Sequence, residues 1–291
     1  MDPRFYQIAF LASFLGLGIV FRDFSVGFSQ ILVVLVSALA VQVFAIFKYR
    51  LAWASLRSAI ISSLGLLMLI RTQSFKLLAL ASALAILSKF VFRFRGKHFF
   101  NPTNFSLAIL LLVSPEVWIS PAQWGEEFLI GAWIAMLGIL VTHKSLRNDV
   151  SYSFLGFYLM FLWLRVSYLG QPHSVFFHQL NSGSLLLFSF FMISDPKSTP
   201  DHRYGRILFS GLVAVVAYWI KFKLYNPNAL VLALFFLSPL TPLIDKLFPS
   251  ERFEWPTSNR REIIHATSSN FHFKFPSVSN FWVLRILRRQ S

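Results

Sequence analysis

The chain reads as an all-α polytopic membrane protein, with ten transmembrane helices arranged as an inverted five-helix repeat. Three observations predict it. Hydrophobic residues make up 56 % of the 291 residues and charged ones only 13 %, with mean hydropathy +0.61, whereas a soluble domain carries about a quarter charged residues. Ten apolar segments follow one another, at roughly 6–21, 26–47, 57–71, 76–93, 103–116, 127–143, 151–169, 180–194, 206–222 and 228–246. Finally, one pattern occurs twice. Lys97-His98-Phe99-Phe100-Asn101-Pro102-Thr103-Asn104 leads into an apolar run closed by Ser114-Pro115, and Lys223-Leu224-Tyr225-Asn226-Pro227-Asn228 leads into another closed by Ser238-Pro239.

Helices are the economical reading of the apolar segments, because lipid offers no water to satisfy an exposed backbone. Several segments sit near the lower length limit for crossing a ~30 Å hydrocarbon core. The first, 6–21, reads as a retained span, since no clear small-residue cleavage site follows it. Lysine and arginine set the orientation. With the N-terminus inside, the inner loops hold Lys48, Arg50, Arg57, Lys89, Arg93, Arg95, Lys97, Lys144, Arg147, Lys197, Arg203 and Arg206. The outer loops hold Arg22, Arg71, Lys76, Arg165, Lys221 and Lys223, and Glu116, Glu126 and Glu127 suit the outside. Both termini then lie in the cytoplasm of a bacterial inner membrane. Five spans, an odd number, separate the two Asn-Pro starts, so the copies insert with opposite topology. Asn101 to Ser114 is thirteen residues and Asn226 to Ser238 is twelve, and similar spacing favours duplication over coincidence. The halves are 1–125 and 126–249, followed by a basic cytoplasmic tail, 250–291. Its stretch Phe281–Arg289 reads either as a short amphipathic helix on the anionic inner leaflet or as disordered tail.

The net charge of +15 sorts by side of the membrane, so no nucleic-acid partner is implied, and membrane lipid is. The absence of cysteine excludes disulfides, thiolate metal sites and cysteine nucleophiles. No Walker loop, dinucleotide fingerprint or nucleophile elbow is present, and no carboxylate lies near the middle of a span to serve a buried proton relay.

Two clusters are candidates for chemistry. In the first, Pro102 fits a first helical turn, Asn101 can cap it, and Thr103 and Asn104 can turn inward. The exposed N–H groups of such a start favour a phosphate or a quinone oxygen, and Lys97 and His98 add charge or a hydrogen-bond donor. A plain helix cap beside an inner-face basic cluster is the structural alternative. The second cluster is Asp195-Pro196-Lys197, where the eighth segment ends. Asp195 either caps an Asp-Pro turn, pairs with Lys197 or binds a partner. Ser238-Pro239 and Pro242 break the last helix, and Asp245 with Lys246 reads as a boundary ion pair rather than a carrier. His143, His173, His178 and His202 lie near span ends, in solvated or interfacial positions.

With these residues laid out, the chain resembles the membrane subunits of respiratory flavin complexes, the D subunit of Rnf electron-transport complexes and the B subunit of the sodium-pumping NADH:quinone oxidoreductase. Lys97-His98-Phe99-Phe100-Asn101-Pro102 is similar to the family's Lys-His-x-x-Asn-Pro helix start. Ser182-Gly183 through Phe190-Phe191-Met192-Ile193-Ser194-Asp195-Pro196, then Gly205-Arg206 with Phe209-Ser210-Gly211, then Pro242-Leu243-Ile244-Asp245, follow in the family's order over roughly residues 50–248. The resemblance implies a urea-channel-like inverted repeat within a complex that couples electron flow to ion movement, with Rnf- or Nqr-like subunits as partners. It also implies a flavin or quinone. The family's Ser/Thr-Gly-Ala-Thr motif, whose last threonine bears covalent flavin mononucleotide, is missing between Pro115 and Glu127. FMN or riboflavin would therefore be held noncovalently, by Lys97, His98, Asn101, Pro102, Thr103 and Asn104, with Asp195 and Lys197 at the cytoplasmic end. In this respect the chain is similar to a stand-alone, UnbU-like branch. It would be at most one component of an oxidoreductase. A small-solute channel or carrier, or a membrane scaffold without redox cofactor, are the alternatives.

Overall fold

The computed structural model describes residues 3–21, 26–120, 128–180 and 182–253, and Pro3–Phe253 forms one compact unit. The expectations for Glu126, Glu127 and the Phe281–Arg289 stretch fall outside the described residues. Among the described residues twelve α-helices follow in order: α1 Pro3–Phe21, α2 Phe28–Tyr49, α3 Leu56–Leu69, α4 Phe75–Val91, α5 Pro102–Val113, α6 Phe128–Lys144, α7 Asn148–Tyr168, α8 His173–Leu180, α9 Gly183–Leu187, α10 Arg203–Phe222, α11 Ala229–Leu237 and α12 Thr241–Leu247. Two minimal antiparallel ladders join them. β1 (Ile70–Arg71) pairs with β4 (Trp118–Ile119), and β2 (Arg93–Phe94) pairs with β3 (Lys97–His98).

Helix occurs at each of the ten apolar segments, but not all of these helices are of spanning length. Among the described residues four are long and apolar enough to cross a membrane: Phe28–Tyr49, Asn148–Tyr168, Arg203–Phe222 and Ala229–Leu247. A fifth arises if the pair His173–Leu180 and Gly183–Met192, bent by 53°, is one span. The architecture is thus predominantly helical and multi-pass. The helix α5 has 12 residues, a rise of about 18 Å, well short of a ~30 Å core. Its bounds follow from its sequence. Asn101 caps it, with its side chain accepting from the Asn104 N–H, Pro102 opens the first turn, and Ser114 is the C-cap. The last segment is broken as its prolines predict, by a 3₁₀ turn at Ser238–Leu240 between α11 and α12.

The larger helix contacts are α1 on α3, α2 on α3 and α4, and α4 on α5, then α6 on α9, α7 on α10 and α10 on α11. The two sets touch through α5–α11 and α1–α6. The α10 face turned inward carries Gly205, Phe209, Ser210, Val213, Ala214, Ala217 and Ile220. Its small residues let backbones approach, the means of helix association where lipid removes the hydrophobic driving force. At the α5–α11 seam, Phe235 lies 5.4 Å from Phe100, nearly parallel, and 5.9 Å from Phe105. Phe92 closes the group at 4.9 Å from Phe105 and 5.4 Å from Phe100.

The helix α9 runs on into one π turn, Phe188–Met192. That widened turn brings the Phe190 ring against Gly138 of α6, where an added Cβ would sit 2.6 Å from Phe190 Cβ.

Candidate functional site

The β2–β3 hairpin positions the first cluster. Its two-residue turn, Arg95-Gly96, has positive φ at both positions, 49° and 82°, the geometry of a tight hairpin whose twist matches its strands. Successive strand residues point to opposite faces, so Lys97 and His98, adjacent in sequence, meet different partners.

Lys97 reaches two carboxylates. Its Nζ is 2.9 Å from Asp245 Oδ2 and 3.0 Å from Asp201 Oδ2. The Asp201 N–H donates to Asp245 Oδ1 at 2.8 Å. The Lys97 and Asp201 side chains are each 9 % exposed. The expected Asp245–Lys246 pair is therefore corrected: Asp245 turns to Lys97, 148 residues earlier. A neighbour one position along points elsewhere on a helix, whereas the fold brings the hairpin beneath α12. Beside this group, Arg206 donates to Asp149 Oδ2 from Nε at 2.9 Å and from Nη2 at 2.6 Å, tying α10 to the start of α7.

His98 faces the second cluster, with Nε2 3.8 Å from Asp195 Oδ2. Asp195 follows the π turn and caps the next bend. Its Oδ1 accepts from the Lys197 N–H at 3.2 Å and its Oδ2 from the Ser198 hydroxyl at 3.2 Å. Burial pushes the Asp195 carboxyl up, but His98 and these donors together hold it below the usual carboxylate range. Burial holds the His98 imidazole below its ordinary value, with Asp195 opposing. At neutral pH His98 is therefore a neutral hydrogen-bond donor beside a carboxylate. Arg147 supports the same bend, donating from Nη2 to the Pro196 carbonyl at 3.3 Å. Burial pushes its guanidinium down to about 10, so it stays charged.

The structure brings the start of α5 to the π turn. Asn101 Nδ2 donates to the Met192 carbonyl at 3.1 Å, and Thr103 Oγ1 donates to the Ser62 carbonyl of α3 at 3.1 Å. Both residues, with Pro102 and Asn104, are buried. Asn104 is 0 % exposed, and both its side-chain oxygen and nitrogen lack a hydrogen-bond partner among the described residues. Buried amides of this kind normally find partners. His98, Asn101 and Asp195 are thus gathered around one turn, while Lys97 is drawn off to Asp201 and Asp245. Sequence reasoning passed over Asp149 and Asp201, and named Arg206 only as an inner-loop cation and a helix start. Their only sequence signal is that a carboxylate near a span end needs a cation, and nothing local says which.

Lys89, near the C-terminal end of α4, is also buried and donates at 3.0 Å to the Ser58 carbonyl and hydroxyl. His202 caps α10 and stacks on Phe248 at 5.8 Å. Among the described residues no three His, Cys, Asp or Glu side chains are grouped to hold a metal. Asn226 partly echoes Asn101: its Oδ1 accepts from the Asn228 N–H at 2.8 Å, just ahead of α11.

Comparison with known proteins places the second half. Residues 118–254 match the family described as NQR2, RnfD, RnfE. Three relatives are each the D subunit of an ion-translocating oxidoreductase complex. The one from Klebsiella pneumoniae (strain 342) is 28 % identical over 126 residues, 43 % of this chain and 35 % of that protein. The one from Actinobacillus pleuropneumoniae serotype 7 (strain AP76) is 27 % identical over 109 residues, 37 % of this chain and 31 % of its own length. That of Stutzerimonas stutzeri is 36 % identical over 81 residues, 26 % of this chain and 22 % of its own. The matched stretch is therefore about a third or less of each of these relatives. The family match holds Asp195, Lys197, Asp201 and Asp245, and Lys97–Asn104 lie ahead of it.

Proposed function

Because residues 118–254 match the NQR2, RnfD, RnfE family, we propose that the chain is an integral membrane component of an Rnf- or Nqr-like electron-transport system, coupled to ion movement through partner subunits. In this reading a flavin or quinone sits noncovalently at the start of α5. The observation that carries it is the Asn104 amide, fully buried with neither atom partnered among the described residues, in the first turn of α5, whose cap Asn101 reaches the Met192 carbonyl shortly before Asp195. A ring carbonyl or ring N–H would satisfy that amide, and neutral His98 offers a second donor. Lys97, bound to Asp201 and Asp245, would act by holding the hairpin rather than by meeting the ligand's charge. With the threonine motif missing, the attachment proposed is noncovalent.

The inverted repeat belongs to the same proposal. The pairs α1–α3, α2–α4 and α4–α5 recur as α6–α9, α7–α10 and α10–α11, which supports two five-helix halves of opposite orientation in a urea-channel-like arrangement. A solute passage along their seam is less supported, since Phe100, Phe105 and Phe235 occupy it.

The test is an absorbance spectrum of the full-length chain, purified gently from its native membranes. A flavin or quinone band is expected, with the chromophore released by acid. Asn104→Leu, which replaces the amide with an apolar side chain of similar size, should purify as a folded protein with the band lost. Colourless protein without extractable quinone, or a band unchanged in Asn104→Leu, would overturn the reading.

A further inference from the structure

We propose that the α2–α3 turn and the neighbouring β2–β3 hairpin bind an anionic phospholipid. Its headgroup phosphate lies at Lys48, Arg50 and Arg93, and its acyl chains lie along the exposed stripe of α2.

The stripe is set by helical periodicity. Phe28, Leu32, Val36 and Phe44 are exposed at spacings of four or eight residues, and Phe47 continues them. The opposite face buries Val34, Ala38, Gln42 and Ala45 against α3 and α4. An apolar stripe along a helix of spanning length is a surface for acyl chains. At its end the chemistry changes. Lys48 leans over the Phe44 and Tyr49 rings, 5.7 and 5.8 Å from their centroids, the posture of a lysine reaching along apolar surface toward a headgroup. Tyr49 and Trp53 are 51 % and 59 % exposed, residue types that mark the lipid–water boundary.

Contacts between helix ends gather the cations. Tyr49 stacks on Phe90 at 5.4 Å, joining the C-terminal ends of α2 and α4, and Arg93 lies three residues beyond Phe90. Lys89 holds the start of α3 to the same end through Ser58. Arg50, Arg93 and Arg95 are exposed. Among the described residues none of Lys48, Arg50, Arg93 and Arg95 has a carboxylate partner. Nor does local sequence offer one, since no Asp or Glu occurs between Asp23 and Glu116. By contrast, Lys97 has two carboxylates and Arg206 has one. A site of unpaired cations at the headgroup end of an apolar stripe fits a phosphodiester with acyl chains. Each such cation attracts an anionic lipid by a factor of about five.

The experiment uses the full-length chain in phosphatidylcholine vesicles containing a minor share of phosphatidylglycerol. One lipid or the other is brominated near the headgroup end of its acyl chains, and the Trp53 signal is isolated by difference from Trp53→Phe. Quenching of Trp53 should be at least about fivefold more effective, per mole of lipid, for phosphatidylglycerol than for phosphatidylcholine, the factor that a single cation contributes. The preference should vanish in Lys48→Gln/Arg50→Gln/Arg93→Gln, survive in Arg50→Lys, and be unaffected by Lys76→Gln at the opposite end of α4. Equal quenching by the two lipids, or a preference undiminished in the triple variant, overturns the proposal. So does an acidic protein that co-purifies with the parent chain and not with the triple variant, without any lipid preference, since the surface would then belong to a protein partner.

Discussion

Lys97 and His98 show how little one residue's chemistry says before the fold assigns its company. Lys97 is held by two carboxylates, and His98 is kept uncharged by burial despite Asp195. The second fact has a thermodynamic consequence. The unfolded chain protonates this imidazole near its ordinary value of about 6.5, whereas the folded protein does so only at lower pH. The contribution of His98 to stability is therefore fully present above that value. It is lost as pH falls below it, with a slope of at most one proton. Thermal unfolding in detergent should show a larger drop between pH 7.5 and 5.5 for the parent than for His98→Gln. Parallel profiles would show that His98 is not held neutral. The role of Asn101 as cap was legible because it depends on the Asn104 N–H, three residues away. The partners of Asp245 and Arg206 were not, because those contacts span 148 and 57 residues.

At the scale of elements, α5 was the most readable, since its Asn-Pro start and Ser-Pro stop are local signals. The π turn in Phe188–Met192 was not readable, because its residues are as apolar as any helix interior and the extra residue per turn leaves no periodic trace. What fixes it is packing on α6. Gly138 is the point of contact, and a methyl group there would overlap the Phe190 side chain. Gly138→Ala should destabilise the folded state by roughly 1–3 kcal/mol, the range for overpacking a close interface. Unfolding in mixed micelles would measure it. Gly156→Ala, where the added carbon meets nothing within 4 Å, should cost nothing comparable. A Gly138→Ala variant as stable as Gly156→Ala would show that the Phe190 side chain gives way, since Ala is otherwise the better helix former.

At the scale of the molecule, the absence of cysteine makes the proposed topology directly testable. Single cysteines placed at Arg95 and at Lys223 should react with a membrane-impermeant maleimide from opposite sides, Arg95 from the cytoplasm and Lys223 from outside. Reaction of both from one side would defeat the inverted arrangement. Composition and the sorting of lysine and arginine made the multi-pass class plain. The number of helices that cross was harder to read, since hydropathy registers an apolar segment whether it crosses alone, as α2 can, or ends after 12 residues, as α5 does.

The ring cluster between α5 and α11 carries an electrical consequence. A bare ion forced between Phe92, Phe100, Phe105 and Phe235 would shed its hydration for an aromatic interior, an idealised penalty on the order of 20 kcal/mol. The contact between the start of α5 and α11 is thus an insulating one. Under the proposed role in ion-coupled electron transport, this seam would offer an ion no route between these rings.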